Sequence, residues 1–132
     1  MAVYKTRLTV RSYECDFNGH VNNAVYLNYL EHARMEALLE KGFSPEKMKE
    51  SGYFVVVRRI EIDYKYPLFT GDEIIIRTSP LESRNSSGTF LQQVVLAKNE
   101  TLAAEARVTW VFINPKGRPI PIPREIREAF DI

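Results

Sequence analysis

Asp16-Phe17-Asn18-Gly19-His20-Val21-Asn22-Asn23, run straight into Ala24 to Lys41, joins a short polar loop to an amphipathic stretch. In that stretch Tyr26, Leu30, Ala33 and Ala37 recur at three- and four-residue spacing, widened by Leu27, Tyr29 and Leu38. Asn28, Glu31, His32, Glu36 and Glu40 point elsewhere, so the spacing predicts one long helix with a buried stripe. Asn22 or Asn23 can cap its start, and Lys41-Gly42 supplies the basic last turn and the glycine expected beyond its end. The loop therefore concentrates a carboxylate, a carboxamide, an imidazole and a helix N-terminus. Those are the parts needed to move a proton and to stabilise a negative oxygen in one place.

Upstream, Tyr4 to Val10 mixes β-branched and aromatic residues with charges and reads as a first strand. Downstream, Ser44-Pro45-Glu46 can cap and start a short second helix ending near Gly52. The period then changes to two: Ile60, Ile62, Tyr64 and Tyr66 alternate with Arg59, Glu61, Asp63 and Lys65, a strand with one wet face. After the break Pro67 to Asp72 come strands at Asp72 to Ser79, Thr89 to Ala97 and Leu102 to Ile113. They are separated by turns at Asn85-Ser86-Ser87-Gly88 and Lys98 to Thr101. Asn114 to Pro119 ends the last strand, and Pro119, Pro121 and Pro123 lead to a terminal helix around Arg124 to Phe130. Strand, long helix, then four strands on short turns imply an α+β fold, an antiparallel sheet of about five strands with the helix packed on one face.

The 132 residues suffice for a single domain with one core. A formal charge of +1, spread without a basic stripe, argues against nucleic acid as a partner. The lone Cys15 cannot form an internal disulfide, and Met1-Ala2-Val3-Tyr4-Lys5 lacks the apolar core of a signal peptide, which favours the cytoplasm. No apolar run nears the roughly 20 residues that span a bilayer, so no membrane insertion is expected.

The string Asp16-x-x-Gly19-His20-Val21-Asn22-Asn23-x-x-Tyr26-Leu27-x-Tyr29-x-Glu31-x-Ala33-Arg34, with its strand, helix and four strands, resembles the hotdog-fold acyl thioesterases of the 4-hydroxybenzoyl-CoA thioesterase superfamily. The His-Val-Asn-Asn version is more similar to the bacterial long-chain acyl-CoA and plant acyl carrier protein branch. The resemblance covers nearly the whole chain. It implies a sheet wrapped around the long central helix and hydrolysis of acyl-CoA or acyl carrier protein thioesters, with Asp16 as the catalytic carboxylate and Asn18 and His20 beside it. The position matching a carbonyl-polarising backbone N-H is Asn23. No metal and no cofactor are implied, coenzyme A being part of the substrate.

Elementary chemistry agrees with those assignments. An attacked thioester carbonyl becomes an oxyanion, and the first N-H groups of a helix are unpaired donors at the positive end of its dipole. Asp16 can deprotonate water or attack directly, and both routes stay open at this stage. Gly19 allows the tight turn, and His20 can orient substrate or water. An Asp and two Asn before a helix also occur as plain caps. Cys15, with His20 as base, is a competing nucleophile, but neighbours on an extended segment face opposite ways. Glu31, about 12 Å into the helix, reads as a structural partner, of Arg34 for instance.

Tyr26 and Tyr29 can line an acyl pocket or belong to the core, Tyr26 being the substrate-binding choice. For the phosphates of coenzyme A the cations at hand are Arg58, Arg59, Lys65, Arg84 and Lys98, with Arg84 beside the Asn85 to Gly88 turn preferred. The related bacterial enzymes often carry Tyr four residues before the Asp, where Ser12 stands here with Tyr13 next to it. A lone sheet leaves edges unpaired, so a homodimer or homotetramer is expected, with Val55 to Val57 or Leu102 to Ile113 as the pairing edge. Other readings are a hotdog enoyl-thioester hydratase or dehydratase and a non-catalytic acyl-CoA-binding module.

Overall fold

The computed structural model describes residues 3–132; Met1 and Ala2, the start of the amino-terminal stretch, lie outside them. Strand β1 (Tyr4–Thr9) leads through a 3₁₀ turn at Ser12–Glu14 to helix α1 (Asn23–Glu40). A short α2 (Pro45–Glu50) precedes β2 (Phe54–Tyr64), β3 (Glu73–Ser83), β4 (Ser87–Leu96) and β5 (Leu102–Ile113), and α3 (Arg124–Phe130) closes the chain. The five strands form one antiparallel sheet in the order β1-β3-β4-β5-β2.

Helix α1 begins and ends where its caps dictate. Asn22 is the N-cap, its side chain accepting from the Ala24 N-H, and the left-handed Gly42 (φ 85°) follows the last turn. Tyr26, Tyr29, Leu30 and Ala33 are buried as the spacing predicts, against Ile74, Ile76, Val94, Ala104 and Val108 of the sheet, and Ala37, also buried, joins the cluster that holds Trp110 and Phe112. Leu27 departs from the expectation: it is 38% exposed. A second cluster around Phe43, Met48, Trp110, Phe112, Ile126 and Phe130 lets α2 and α3 seal the other end of the layer. No helix among the described residues is long and apolar enough to cross a membrane.

Strand ends move where bulges absorb a misfit. β3 continues through Pro80 to Ser83 instead of stopping at Ser79, because a register shift between Pro80 and Glu82 accommodates the missing N-H. The turn before β4 tightens accordingly, with the Arg84 N-H donating to the Ser87 carbonyl at 2.7 Å. β2 starts earlier than its alternation suggests, at Phe54, and bulges between Val57 and Arg59; Tyr66 lies beyond its end. The strand order also removes one expected pairing edge. β5 has β4 on one side and β2 on the other, so Leu102 to Ile113 is interior, whereas β2, with Val55 to Val57, is an edge.

Candidate active site

The segment 15–23 is held on both sides. Isolated bridges pair Cys15 with Val21 and His20 with Phe69, and the Val21 N-H donates to the Leu68 carbonyl at 2.9 Å. Within the loop the Asp16 N-H donates to the His20 carbonyl at 2.6 Å and the Gly19 N-H to the Asp16 carbonyl at 3.0 Å. Gly19 adopts φ 81°, a left-handed conformation that side chains disfavour, so the glycine there is a backbone requirement.

Asp16 is exposed. Its Oδ1 accepts from the backbone N-H of Asn18 at 2.9 Å and of His20 at 3.2 Å. One carboxylate oxygen thus fixes the loop, while Oδ2 takes no hydrogen bond among the described residues. Asn18 and His20 therefore meet Asp16 through their backbones, and neither side chain hydrogen-bonds to it. The Asn18 side chain is exposed, and the half-buried His20 ring stands edge-on to Phe69 at 5.0 Å. Cys15 points the other way, as alternation requires: its Sγ lies 3.2 Å from Thr70 Oγ1 and packs beside the core.

At the helix start the donors are apportioned unevenly. The Ala24 N-H is taken by Asn22 Oδ1 at 2.9 Å, the Val25 N-H by the Asn22 carbonyl at 2.9 Å, and the Asn22 N-H goes to the Glu14 carbonyl at 2.9 Å. Asn23 is the first helical residue, so its N-H has no intrahelical acceptor. No other described group takes it. An open donor at the positive end of a helix of 18 residues is thereby left next to the loop that carries Asp16.

Two supports of this corner escaped the reading of the sequence. Glu14, 7% exposed, accepts from the Arg11 N-H at 2.8 Å, from Arg11 Nη2 at 2.8 Å and from the Tyr29 hydroxyl at 2.8 Å. Burial raises its pKa, but the hydrogen bonds from Arg11 and Tyr29 outweigh it and hold the carboxyl below its usual range. The three-residue spacing from Arg11 to Glu14, which lets the Glu14 carboxylate reach back to the Arg11 N-H, was the only available signal. The second support is Tyr64, whose hydroxyl donates to the Asn23 carbonyl at 2.9 Å.

The remaining candidates lie apart. Tyr26 is 4% exposed, packed edge-on against Tyr64 at 5.0 Å, and its pKa is pushed up to about 12, by burial first and by Tyr64 second. Arg84 sits at the far end of β3, about 35 Å of strand from the end that adjoins the Asp16 loop. Its side chain is 75% exposed with only a 3.8 Å contact to Glu82. Tyr13 is exposed beneath the Arg11 guanidinium, which stacks 5.6 Å from its ring centroid. Glu31 forms no ion pair with Arg34 among the described residues; Arg34 Nη1 donates instead to Gln92 Oε1 at 3.0 Å. No metal-binding group of three or more ligands occurs among the described residues.

This arrangement can be set beside known proteins. The family model of the thioesterase-like superfamily matches residues 10–130. Long-chain acyl-CoA thioesterase FadM of Escherichia coli is 35% identical over 129 residues, which cover 96% of each chain. The chloroplastic acyl-acyl carrier protein thioesterase ATL3 of Arabidopsis thaliana is 31% identical over 127 residues, 96% of this chain and 67% of that one. The crystal structure of a hypothetical protein from Aquifex aeolicus matches with a TM-score of 0.89 at 31% identity, covering 96% of this chain and 98% of its own. The five-stranded sheet with its helix agrees with these matches, and the chain belongs to the thioesterase-like superfamily.

Proposed function

We propose that this thioester hydrolase cleaves acyl-CoA or acyl carrier protein thioesters at the corner between Asp16 and Asn23. The observation that carries the reading is the open Asn23 N-H, flanked by helix donors that are already satisfied. In the general-base route the free Oδ2 of Asp16 takes a proton from water, whose oxygen attacks the thioester carbon. The oxyanion is held by the Asn23 N-H, and its collapse expels the thiolate, which recovers the proton from the Asp16 carboxyl. In the nucleophilic route the carboxylate attacks the thioester carbon first, and the oxyanion collapses and expels the thiolate to leave a mixed anhydride. Water then opens that anhydride, restoring the Asp16 carboxylate and supplying the proton that the thiolate takes up. Asn18 positions Asp16 through its backbone, and His20, braced on Phe69, orients the water or the substrate. No cofactor is required by either route.

In this reading α1 is the central helix of the fold and Tyr26 forms the floor under Asn23. Arg84, too far along β3 to touch the thioester in its own chain, is assigned to coenzyme A phosphates across a subunit boundary. We infer a homodimer paired along β2, or a tetramer of such pairs, in the cytoplasm. The support is a free edge carrying the exposed Val56 and Val57 beside a cavity of 360 Å³ lined by Glu31, Arg34, Met35 and Leu38.

The test is hydrolysis of acyl-CoA substrates of graded chain length by Asp16→Asn and Asn23→Pro. Proline is favoured at the first helical position, and Asn22, at ψ 136°, already has the extended backbone that precedes proline. The substitution therefore deletes one N-H while keeping the helix. Each variant should lose about 100- to 1000-fold in kcat with assembly intact, whereas Asn23→Ala, which retains the N-H, should stay within about tenfold of the parent. Full activity in both Asp16→Asn and Asn23→Pro refutes the site.

A further inference from the structure

We propose that Tyr64 is a positioning residue of the thioester site, holding the first turn of α1 so that the Asn23 N-H keeps its aim on the developing oxyanion. The inference rests on the assignment of that N-H as the oxyanion donor. Its basis is the hydroxyl-to-carbonyl bond of 2.9 Å between residues 41 apart in sequence, one at the last position of β2 and the other at the first position of α1.

Helix ends fray, and residue 23 is the least restrained residue of α1 on its amide side, since its N-H bonds to nothing in the helix. Its cap, Asn22, secures residues 24 and 25 but not residue 23 itself. The only bond reaching residue 23 from outside the helix, among the described residues, comes from Tyr64. That side chain is in turn fixed from two directions. Its backbone pairs with Ala104, and its ring stands at 81° to Tyr26, which is itself 4% exposed. A tyrosine 47% exposed ordinarily gives its hydroxyl to water; here the rigid wall of Tyr26 aims it at the helix start. A donor that must meet an oxyanion within a few tenths of an ångström gains from such a restraint, because preorganisation determines how much of the hydrogen bond is realised in the transition state.

The decisive experiment is a double-substitution cycle with Tyr64→Phe and Asn23→Pro, read by kcat and KM of acyl-CoA hydrolysis and by thermal melting. Phenylalanine keeps the packing on Tyr26 and removes only the hydroxyl. Tyr64→Phe should lower kcat about tenfold with KM within about twofold. In the Asn23→Pro background, where there is no N-H to aim, the same change should alter kcat less than about twofold. Melting should move by no more than a few degrees, as expected for a half-exposed side chain. Equal losses in both backgrounds, or no loss in either, overturn the role of Tyr64 while leaving the donor assignment standing. Full activity in Asn23→Pro alone overturns the donor assignment and this inference with it.

Discussion

The Tyr29 hydroxyl donates to Glu14 Oε1 at 2.8 Å, tying the buried face of α1 to the turn that delivers Asp16. Burial is the foremost cause that raises the Tyr29 pKa, and the Glu14 carboxylate adds to it, so the phenol stays a donor at every physiological pH. Glu14 also receives the backbone and side chain of Arg11, making it the hub on which the entry to the active loop is hung.

Glu14→Gln should cost about 1–3 kcal/mol in urea unfolding at pH 7, because an amide presents donors where four donors already converge. The sign of its pH dependence follows from the lowered carboxyl. A depressed folded-state pKa gives stability that is present above the unfolded value of about 4.3 and is lost as pH falls through the folded value. Unfolding measured from pH 7 down to pH 3 should therefore show the gap between the natural protein and Glu14→Gln narrowing below about pH 4. A gap that widens in acid contradicts the assignment.

Gly88 and Gly19 should fail for different reasons. A Cβ on Gly88 would overlap the Trp110 indole and approach the Glu82 carbonyl oxygen to 2.9 Å, so Gly88→Ala should destabilise by about 1–3 kcal/mol through overpacking. Nothing lies within 4 Å of a Cβ on Gly19, which leaves only the strain of φ 81°. Gly19→Ala should cost about 1 kcal/mol, yet lower kcat more than Gly88→Ala does, because it shifts the N-H groups that hold Asp16. Paired melting and kinetic curves check both.

Removing the helix cap separates stability from chemistry. Asn22→Ala should lose about 0.5–2 kcal/mol by calorimetry, and Asn22→Ser or Asn22→Asp should recover most of it. The freed Ala24 N-H becomes a second donor at the site, so kcat should fall far less than in Asn23→Pro. A loss in Asn22→Ala as large as that of Asn23→Pro would mean that the Asn22 side chain, not the helix amide, meets the substrate.

The β2 edge predicts the assembly. Val57, 44% exposed, contributes little to the core of its own chain. Val57→Asp should therefore leave secondary structure intact while converting the protein to monomer in sedimentation velocity, with hydrolysis falling in step. A natural protein that already sediments as an active monomer disproves the pairing.

What was legible in the sequence is what local physics controls. The limits of α1 follow from Asn22 and Gly42, its buried stripe from the three- and four-residue spacing, and α3 from the prolines before Arg124. The presence of four later strands follows from period-two alternation and turn residues, and the meeting of Asp16 with the backbones of Asn18 and His20 from their adjacency on one loop that runs into Asn23 at the helix start. Periodicity reports which face of a strand is covered, not which strand lies beside it. Only the assembled strand order put β2 outside β5 and so made Val55 to Val57, and not Leu102 to Ile113, part of an edge. The bonds from Tyr29 to Glu14 and from Tyr64 to Asn23, and the distance of Arg84 from the loop, are likewise tertiary. Each depends on groups far apart in the chain meeting after their entropy of closure has been overcome, a condition that no window of sequence contains.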